Sequence, residues 1–168
     1  EKKMKVPELR FAEFTEPWIF KKFGDVIKEN GYGPRFNAED YNINGNVKTI
    51  RGTDISLDGE IKYEQVPTAL LDEAVIKNHI LEEGNLVIIT TADCGLTGVF
   101  RKQKLPYIPS AYAVKVKLKE SSNPYYFKYV FQTQIAKNQV NKFIRKATVA
   151  NLPGSDILNF DFFIPLKI

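Results

Sequence analysis

The sequence of 168 residues predicts one α+β domain, in which a central mixed or antiparallel sheet is flanked by an N-terminal and a late amphipathic helix. Three observations support this class. Short alternating or apolar runs cluster in the middle of the chain, helical periodicity is found towards both ends, and 43% of the residues are hydrophobic. No repeat or long linker divides the chain, so we expect residues 1–168 to form a single domain.

The first predicted element is a helix. Thr15-Glu16-Pro17 offers an N-cap followed by a proline suited to the first turn. Apolar residues then recur at helical spacing from Trp18 onward, and Asn30-Gly31 end the run. The stretch that follows, up to residue 46, is rich in glycine and asparagine and predicts a long irregular loop of the kind that is usually functional.

Five segments in the middle of the chain alternate or are continuously apolar, with turn residues between them, and are predicted as strands. They are residues 47–51, 61–66, 86–89, 96–100 and 111–118. The segment 86–89 is apolar throughout, which is typical of a buried strand. A short helix is predicted between residues 70 and 81.

The last third of the chain predicts a second amphipathic helix and a final strand. Asn123-Pro124 opens the helix, whose apolar periodicity continues to about Asn138. Residues 160–164 then predict the strand.

The net charge of +4 is unevenly distributed. Residues 1–84 carry 12 Lys and Arg against 16 Asp and Glu, whereas residues 85–168 carry 12 against 4. Between residues 101 and 146, Glu120 is the only acidic side chain among 11 basic ones. Tyrosines are interleaved with these bases, and a basic surface with aromatic side chains favours a nucleic-acid partner.

Several classes of function are disfavoured by composition. Cys94 and His79 are the only residues of their types, so neither a cysteine-based zinc cluster nor a histidine-rich metal site is expected. No strand is followed by a glycine-rich turn suited to S-adenosylmethionine. No apolar run approaches a membrane span and no secretory signal is visible. We expect a cytoplasmic protein without a cofactor or metal.

Two alternatives remain open at this stage. Glu60 and Lys62, with Asp40 or Asp54, can form the acidic pair and lysine of a metal-dependent nuclease, provided that they converge within about 4–5 Å. The other alternative is a module that binds polysaccharide or protein, for which exposed aromatic side chains without a clustered basic face are expected.

Several motifs, in this order, resemble a known family. They are Leu9-Arg10-Phe11 with Phe14 and Trp18, Phe23-Gly24-Asp25-Val26, the string VKTIRGTDI from Val47 to Ile55, Glu83-Gly84-Asn85-Leu86-Val87-Ile88, Gly95-Leu96-Thr97-Gly98, Asn123-Pro124-Tyr125-Tyr126-Phe127 and Phe162-Phe163-Ile164-Pro165-Leu166. Together they are similar to the target recognition domain in the specificity subunit of type I restriction–modification enzymes.

The resemblance implies a non-catalytic, sequence-specific reader of double-stranded DNA. Its partners would be the methyltransferase and restriction subunits of the same system, which carry the chemistry. The family continues into a long helix that spaces two recognition domains, whereas this chain stops at Ile168. We therefore expect one recognition domain without the spacer helices.

Ten residues are the candidates for DNA contact. Phosphate contacts are predicted for Arg101, Lys102, Lys104 and Lys146. Bidentate contacts to guanine are predicted for Arg35, Arg51 and Arg145, and a contact to adenine for Asn151. Tyr32 and Thr53 lie near two of these arginines in the sequence. For Arg51 an ion pair with Asp54 or Glu60 is the alternative interpretation.

Overall fold

A four-stranded antiparallel sheet lies at the centre of the protein. The computed structural model describes residues 12, 15–145 and 148–165. The strands are β2 (Ile27–Tyr32), β5 (Leu86–Ile89), β6 (Thr97–Val99) and β8 (Ala113–Leu118), in the spatial order β2-β8-β5-β6. Each neighbouring pair in this sheet is antiparallel.

Strand β5 is buried on both faces, as its apolar sequence predicts. Leu86 and Ile88 belong to a core on the helix side of the sheet, whereas Val87 and Ile89 belong to a second core on the other side. Successive side chains of a strand point to opposite faces. The strand therefore joins the two cores.

A second sheet of three strands covers part of the second core. It consists of β3 (Val47–Ile50), β4 (Thr68–Ala69) and β7 (Tyr107–Pro109), in the order β4-β3-β7. Strand β3 is antiparallel to β4 and parallel to β7, so this sheet is mixed. The short helix α1 (Glu73–His79) packs against it through Ile76.

The late helix is divided in two. Helix α2 (Pro124–Gln132) starts at Asn123, whose side chain accepts a hydrogen bond from the backbone N–H of Tyr125 at 2.9 Å. Thr133 then ends α2 and caps α3 (Gln134–Phe143) by accepting from the N–H of Ala136. The predicted continuous helix was therefore wrong at Thr133, because a local cap there competes with helix continuation. A single turn of helix, α4 (Gly154–Ile157), follows.

The predicted N-terminal helix was wrong. Its residues form strand β1 (Ile19–Lys22), a 3-10 turn (Phe23–Val26) and the start of β2. Strand β1 pairs with the final strand β9 (Asp161–Ile164), and the N–H of Gly24 donates to the carbonyl of Leu158 at 2.9 Å. Pairing with a segment 139 to 145 residues away overrides the local helical pattern.

The predicted strand at residues 61–66 was also replaced. Only an isolated bridge between Ile55 and Ile61 forms, and a 3-10 turn (Tyr63–Gln65) follows it. Other predicted strands are confirmed within one or two residues, and the α+β class is confirmed. In the part of the chain that the structure describes, we find no helix with the length and apolar character needed to cross a membrane.

Candidate nucleic-acid interface

An open cleft of about 700 Å³ lies where the ends of β3 and β5 meet the β7–β8 turn. Backbone hydrogen bonds join the three segments: Ser110 donates to Ile50 at 2.8 Å, and Thr90 to Tyr112 at 2.9 Å. The cleft combines guanidinium, carboxylate, hydroxyl and aromatic groups. Among its lining residues are Arg35, Arg51, Asp93, Thr53, Thr91, Ser110, Phe36, Tyr41 and Tyr112.

Arg51 is held in the cleft wall by Asp54. Its Nε and Nη2 donate to the two carboxylate oxygens at 3.0 and 2.9 Å, and its backbone N–H donates to the same carboxylate at 2.9 Å. Asp54 is fully buried, and the Arg51 side chain is 43% exposed. A guanidinium has five N–H donors, so three donors of Arg51 are not engaged by Asp54. The hydrogen bond with Asp54 raises the pKa of Arg51 above its ordinary value.

Two neighbours complete this wall. Gln65 donates from Nε2 to the carbonyl of Thr53 at 2.7 Å, which holds the exposed Thr53 at the rim. Partial burial raises the pKa of Tyr41, and the nearby charges of Arg51 and Asp54 have smaller effects on it. The pairing of Arg51 with Asp54 matches the alternative interpretation of Arg51.

Arg35 is presented differently. Gly33 is pressed against β7, since a Cβ there would lie 1.9 Å from the carbonyl oxygen of Pro109. Pro34 is buried, and the ring of Phe36 packs edge-on against Tyr41 with centroids 5.3 Å apart. Arg35 itself is exposed on the short span between these anchors. Within the described ranges, its guanidinium has no hydrogen bond or ion pair.

The β5–β6 turn also lines the cleft. Ala92 has a positive φ of 62°. This conformation is unfavourable for any residue other than glycine, and it persists only when the surrounding structure enforces it. The N–H of Ala92 donates to the carbonyl of Ala150 at 3.0 Å, and the Sγ of Cys94 donates to the carbonyl of Thr90 at 3.2 Å. Asp93 is held exposed at this turn and lines the cleft.

Asn151 and Arg145 extend the site beyond this turn. Asn151 forms bridges with Thr91 and with Arg145, whose backbone N–H donates to the carbonyl of Asn151 at 2.8 Å. Tyr32 points to the same region, because its hydroxyl accepts from the N–H of Gly154 at 2.6 Å. These three predicted residues therefore border the cleft wall without lining the cleft. Lys146 lies outside the described residues.

The predicted phosphate contacts Arg101, Lys102 and Lys104 lie elsewhere. They follow β6, whose end lies beside the start of β5, whereas the cleft lies at the end of β5. Arg101 follows the Leu86–Val99 pair by two residues, and Thr91 follows Ile89 by two, so at a rise of about 3.3 Å per residue the two groups lie roughly 20 Å apart along the hairpin. Arg101 lies over the ring of Tyr125, 5.9 Å from its centroid, and donates to its hydroxyl.

The carboxylates of the nuclease alternative each have another partner in the structure. Asp40 accepts from the N–H of Asn37 at 2.7 Å, Asp54 holds Arg51, and Glu60 pairs with Lys128. Among the residues that the structure describes, no three His, Cys, Asp or Glu side chains form a group that can hold a metal ion.

The polar cleft residues that the sequence reasoning missed include Asp93, Thr91 and Tyr112. All three follow or connect buried strands, at turns that are not adjacent in the sequence. The available signal was the position of polar residues directly after the apolar run of β5, where a turn between core strands must reach the surface.

Comparison with known proteins supports the fold. No family model and no curated protein matches the chain. Among solved structures, it is similar to the S subunit of a type I restriction-modification system from M. genitalium, with 12% identity and a TM-score of 0.62 over 95% of this chain. It is also similar to the HsdS subunit from Thermoanaerobacter tengcongensis, with 15% identity and a TM-score of 0.56 over 97% of this chain.

A third similar chain belongs to a structure of complex assembly and conformational transition in a type I R-M system. The identity is 17% and the TM-score 0.64 over 97% of this chain. The chain spans a little over a third of the length of these three proteins, from 36 to 37%. The fold that the resemblance implied is therefore confirmed.

Proposed function

We propose that the chain is a DNA-recognition module of a type I restriction–modification specificity subunit, which binds double-stranded DNA at a defined sequence. The observation that carries the proposal is the likeness of nearly the whole chain to S-subunit structures. The sequence motifs resemble the same family independently of the fold.

The chemistry of the cleft supports this function. Protein–DNA recognition needs phosphate contacts for affinity and donors or acceptors at base edges for sequence. The cleft holds the exposed guanidinium of Arg35, a carboxylate and several hydroxyls on anchored backbone. The exposed bases Arg101, Lys102 and Lys104 lie roughly 20 Å further along the hairpin, so a duplex that contacts both groups must span about six base pairs.

In this proposal the module does no chemistry itself. Its partners are the methyltransferase and restriction subunits, which act in the cytoplasm on the DNA that the module selects. No cofactor is assigned to this chain. Its isolated form should neither methylate nor cleave DNA; cleavage with Mg²⁺ that Glu60→Ala abolishes would favour the nuclease alternative.

The test is selection of binding sites from randomised duplexes at about 50 mM salt, followed by titration of the selected site to about 200 mM. A single module buries on the order of 600–1,000 Å² of protein surface, so we expect weak, strongly salt-dependent binding to one enriched sequence. Lys102→Ala should reduce the salt dependence by about one charge without altering the enriched sequence.

The matched control is Lys77→Ala, which removes a lysine of α1 that lies outside the candidate interface. This variant should leave both the salt dependence and the enriched sequence unchanged. Failure of the wild-type chain to enrich any sequence, or affinity that does not change with salt, would contradict the proposed function.

A further inference from the structure

We propose that the cleft reads a G·C pair in the major groove, with Arg35 donating to guanine and Asp93 accepting from cytosine. This inference rests on the proposed function. It also assigns different roles to the two arginines of the cleft. Arg51 is a positioning residue that, with Asp54, holds the cleft wall.

The two arginines of the cleft differ in their hydrogen-bond partners. Arg51 is neutralised by the buried Asp54, which accepts three hydrogen bonds from it. Arg35 has no such partner among the described residues, so its planar fork is free to meet a ligand. An arginine fork fits the O6 and N7 acceptors of guanine, the commonest specific contact of proteins with DNA.

The backbone that carries Arg35 is anchored to the rest of the fold. Base reading requires a donor that is held in place before the DNA arrives. Arg35 follows Gly33, which packs so closely on β7 that there is no room for a Cβ, and the buried Pro34; it precedes Phe36, which packs on Tyr41. The backbone that carries the side chain is therefore anchored on both sides.

The carboxylate of Asp93 favours a base pair over a phosphate as the ligand of the cleft. Asp93 lines the same cleft as Arg35, on a turn that the left-handed conformation of Ala92 holds in place. A phosphate offers acceptors alone and would be repelled by Asp93. The major-groove edge of a G·C pair presents guanine acceptors beside the N4 donor of cytosine, so it matches a guanidinium and a carboxylate together.

The presence of Asp93 gives the inference a distinctive signature. A carboxylate in a DNA-binding cleft opposes every duplex through its charge, and only the correct base offsets that opposition with a hydrogen bond. Asp93→Asn should therefore bind unrelated duplexes more tightly than the wild type does, while its preference at one base pair declines.

The experiment is site selection with the full chain and its variants, combined with affinity measurements on the selected duplex and on single-pair substitutions. Arg35→Lys keeps the charge and loses the fork. We expect it to lose about 5- to 150-fold of the discrimination at one G·C pair, with its salt dependence unchanged. Asp93→Asn should relax the preference at the same pair and raise affinity for unrelated DNA.

The control is Arg51→Lys, which keeps the charge but disrupts the fork held by Asp54. It should lower the melting temperature and weaken all duplexes alike, with the selected sequence unchanged. A wild-type chain that selects no sequence overturns the proposed function and this inference with it. A wild-type chain that selects a sequence which Arg35→Lys and Asp93→Asn both retain at every position overturns this inference alone.

Discussion

At the scale of single residues, Arg51 and Asp54 show what the sequence leaves open. The residues lie three apart in VKTIRGTDI, a spacing compatible with either a free arginine or a local ion pair. The 3-10 turn Gly52–Asp54 turns the carboxylate back onto the arginine and buries it. Burial of Asp54 depends on the strands around it, so sequence spacing alone cannot decide between the two interpretations.

Asp54→Asn should therefore destabilise the fold. The neutral amide keeps the shape but loses the charge-assisted bonds to Arg51, which should cost about 1–3 kcal/mol in free energy of unfolding. For a chain of this length, each kcal/mol lowers the melting temperature by about 2–4 °C. Thermal melting measures the effect. Glu64→Gln, an exposed carboxylate in the next 3-10 turn, is the control and should change the stability by less than about 0.5 kcal/mol.

The same scale explains why Asp93 was missed. Its sequence neighbours, Thr-Ala-Asp-Cys-Gly, indicate a turn and nothing about what the turn faces. The residues that line the same cleft, at positions 34–36 and 51–53, come from other parts of the chain. Local sequence patterns contain no information on such convergence, whereas Arg35 and Arg51 could be nominated from their residue type.

At the scale of elements, the buried strands were predictable and the N-terminal helix was not. The four consecutive apolar residues of β5 indicate a strand that is buried on both faces, because few other elements bury four residues in a row. The apolar residues in and after β1 recur at helical spacing, but the backbone groups of β1 pair with β9 at the other end of the chain. Such a nonlocal partner is invisible to periodicity.

The anchoring of the Arg35 segment on β7 can be tested by a pair of glycine substitutions. A Cβ at Gly33 would lie 1.9 Å from the carbonyl oxygen of Pro109, whereas a Cβ at Gly31 would meet nothing within 4 Å. Gly33→Ala should destabilise the fold by about 1–3 kcal/mol because the segment must shift. Denaturant unfolding compares the two variants, and Gly31→Ala should be neutral or slightly stabilising. Equal stability of the two variants would contradict the anchoring of this segment.

The contact between α2 and β9 predicts a specific alkaline instability. Tyr126 donates its hydroxyl hydrogen to the carbonyl of Phe163, and burial raises the pKa of Tyr126 to about 12. In the unfolded chain the phenol loses its proton near pH 10. Between these values the unfolded state binds fewer protons than the folded state, so stability falls as the pH rises from about 10 to 12.

Urea unfolding at a series of pH values measures this slope. Tyr126→Phe should be less stable at neutral pH, since it lacks the hydrogen bond, and should lose stability less steeply above pH 10. Burial also raises the pKa values of Tyr63 and Tyr107, so part of the slope should remain in the variant. Identical slopes for the two proteins would show that Tyr126 does not ionise late in the folded state.

At the scale of the whole molecule, the fold redistributes a charge pattern that is simple in the sequence. The basic stretch 101–146 is continuous along the chain, yet Arg101 and its neighbours lie at one end of the β5–β6 hairpin. Arg35 and Arg51, from the acidic half of the sequence, lie at the other end. The stretch with the highest basic charge in the sequence therefore does not supply the two arginines that line the cleft.

The acidic half contributes more to this organisation than its charge suggests. Glu82 accepts from Lys117 on β8, and this interaction with the lysine lowers the pKa of Glu82. Glu60 neutralises the buried Lys128 of α2. Both ion pairs link segments from the two halves of the sequence, so part of the basic charge serves the fold and is not available to a polyanion.

The central claim is that the cleft is where the chain meets DNA, and site-specific photo-crosslinking tests it most directly. Tyr112 lines the cleft and is 64% exposed, whereas Tyr129 is 61% exposed on α2, outside the cleft. A photoreactive phenylalanine analogue replaces each tyrosine in turn, in the presence of the selected duplex. We predict crosslinks from position 112 that unlabelled selected duplex competes away and scrambled duplex does not, and that exceed any from position 129, which lies one turn of α2 beyond the Tyr125 that Arg101 contacts. Crosslinks from position 129 alone, or from position 112 with equal competition by both duplexes, would contradict the assignment of the cleft as the reading face.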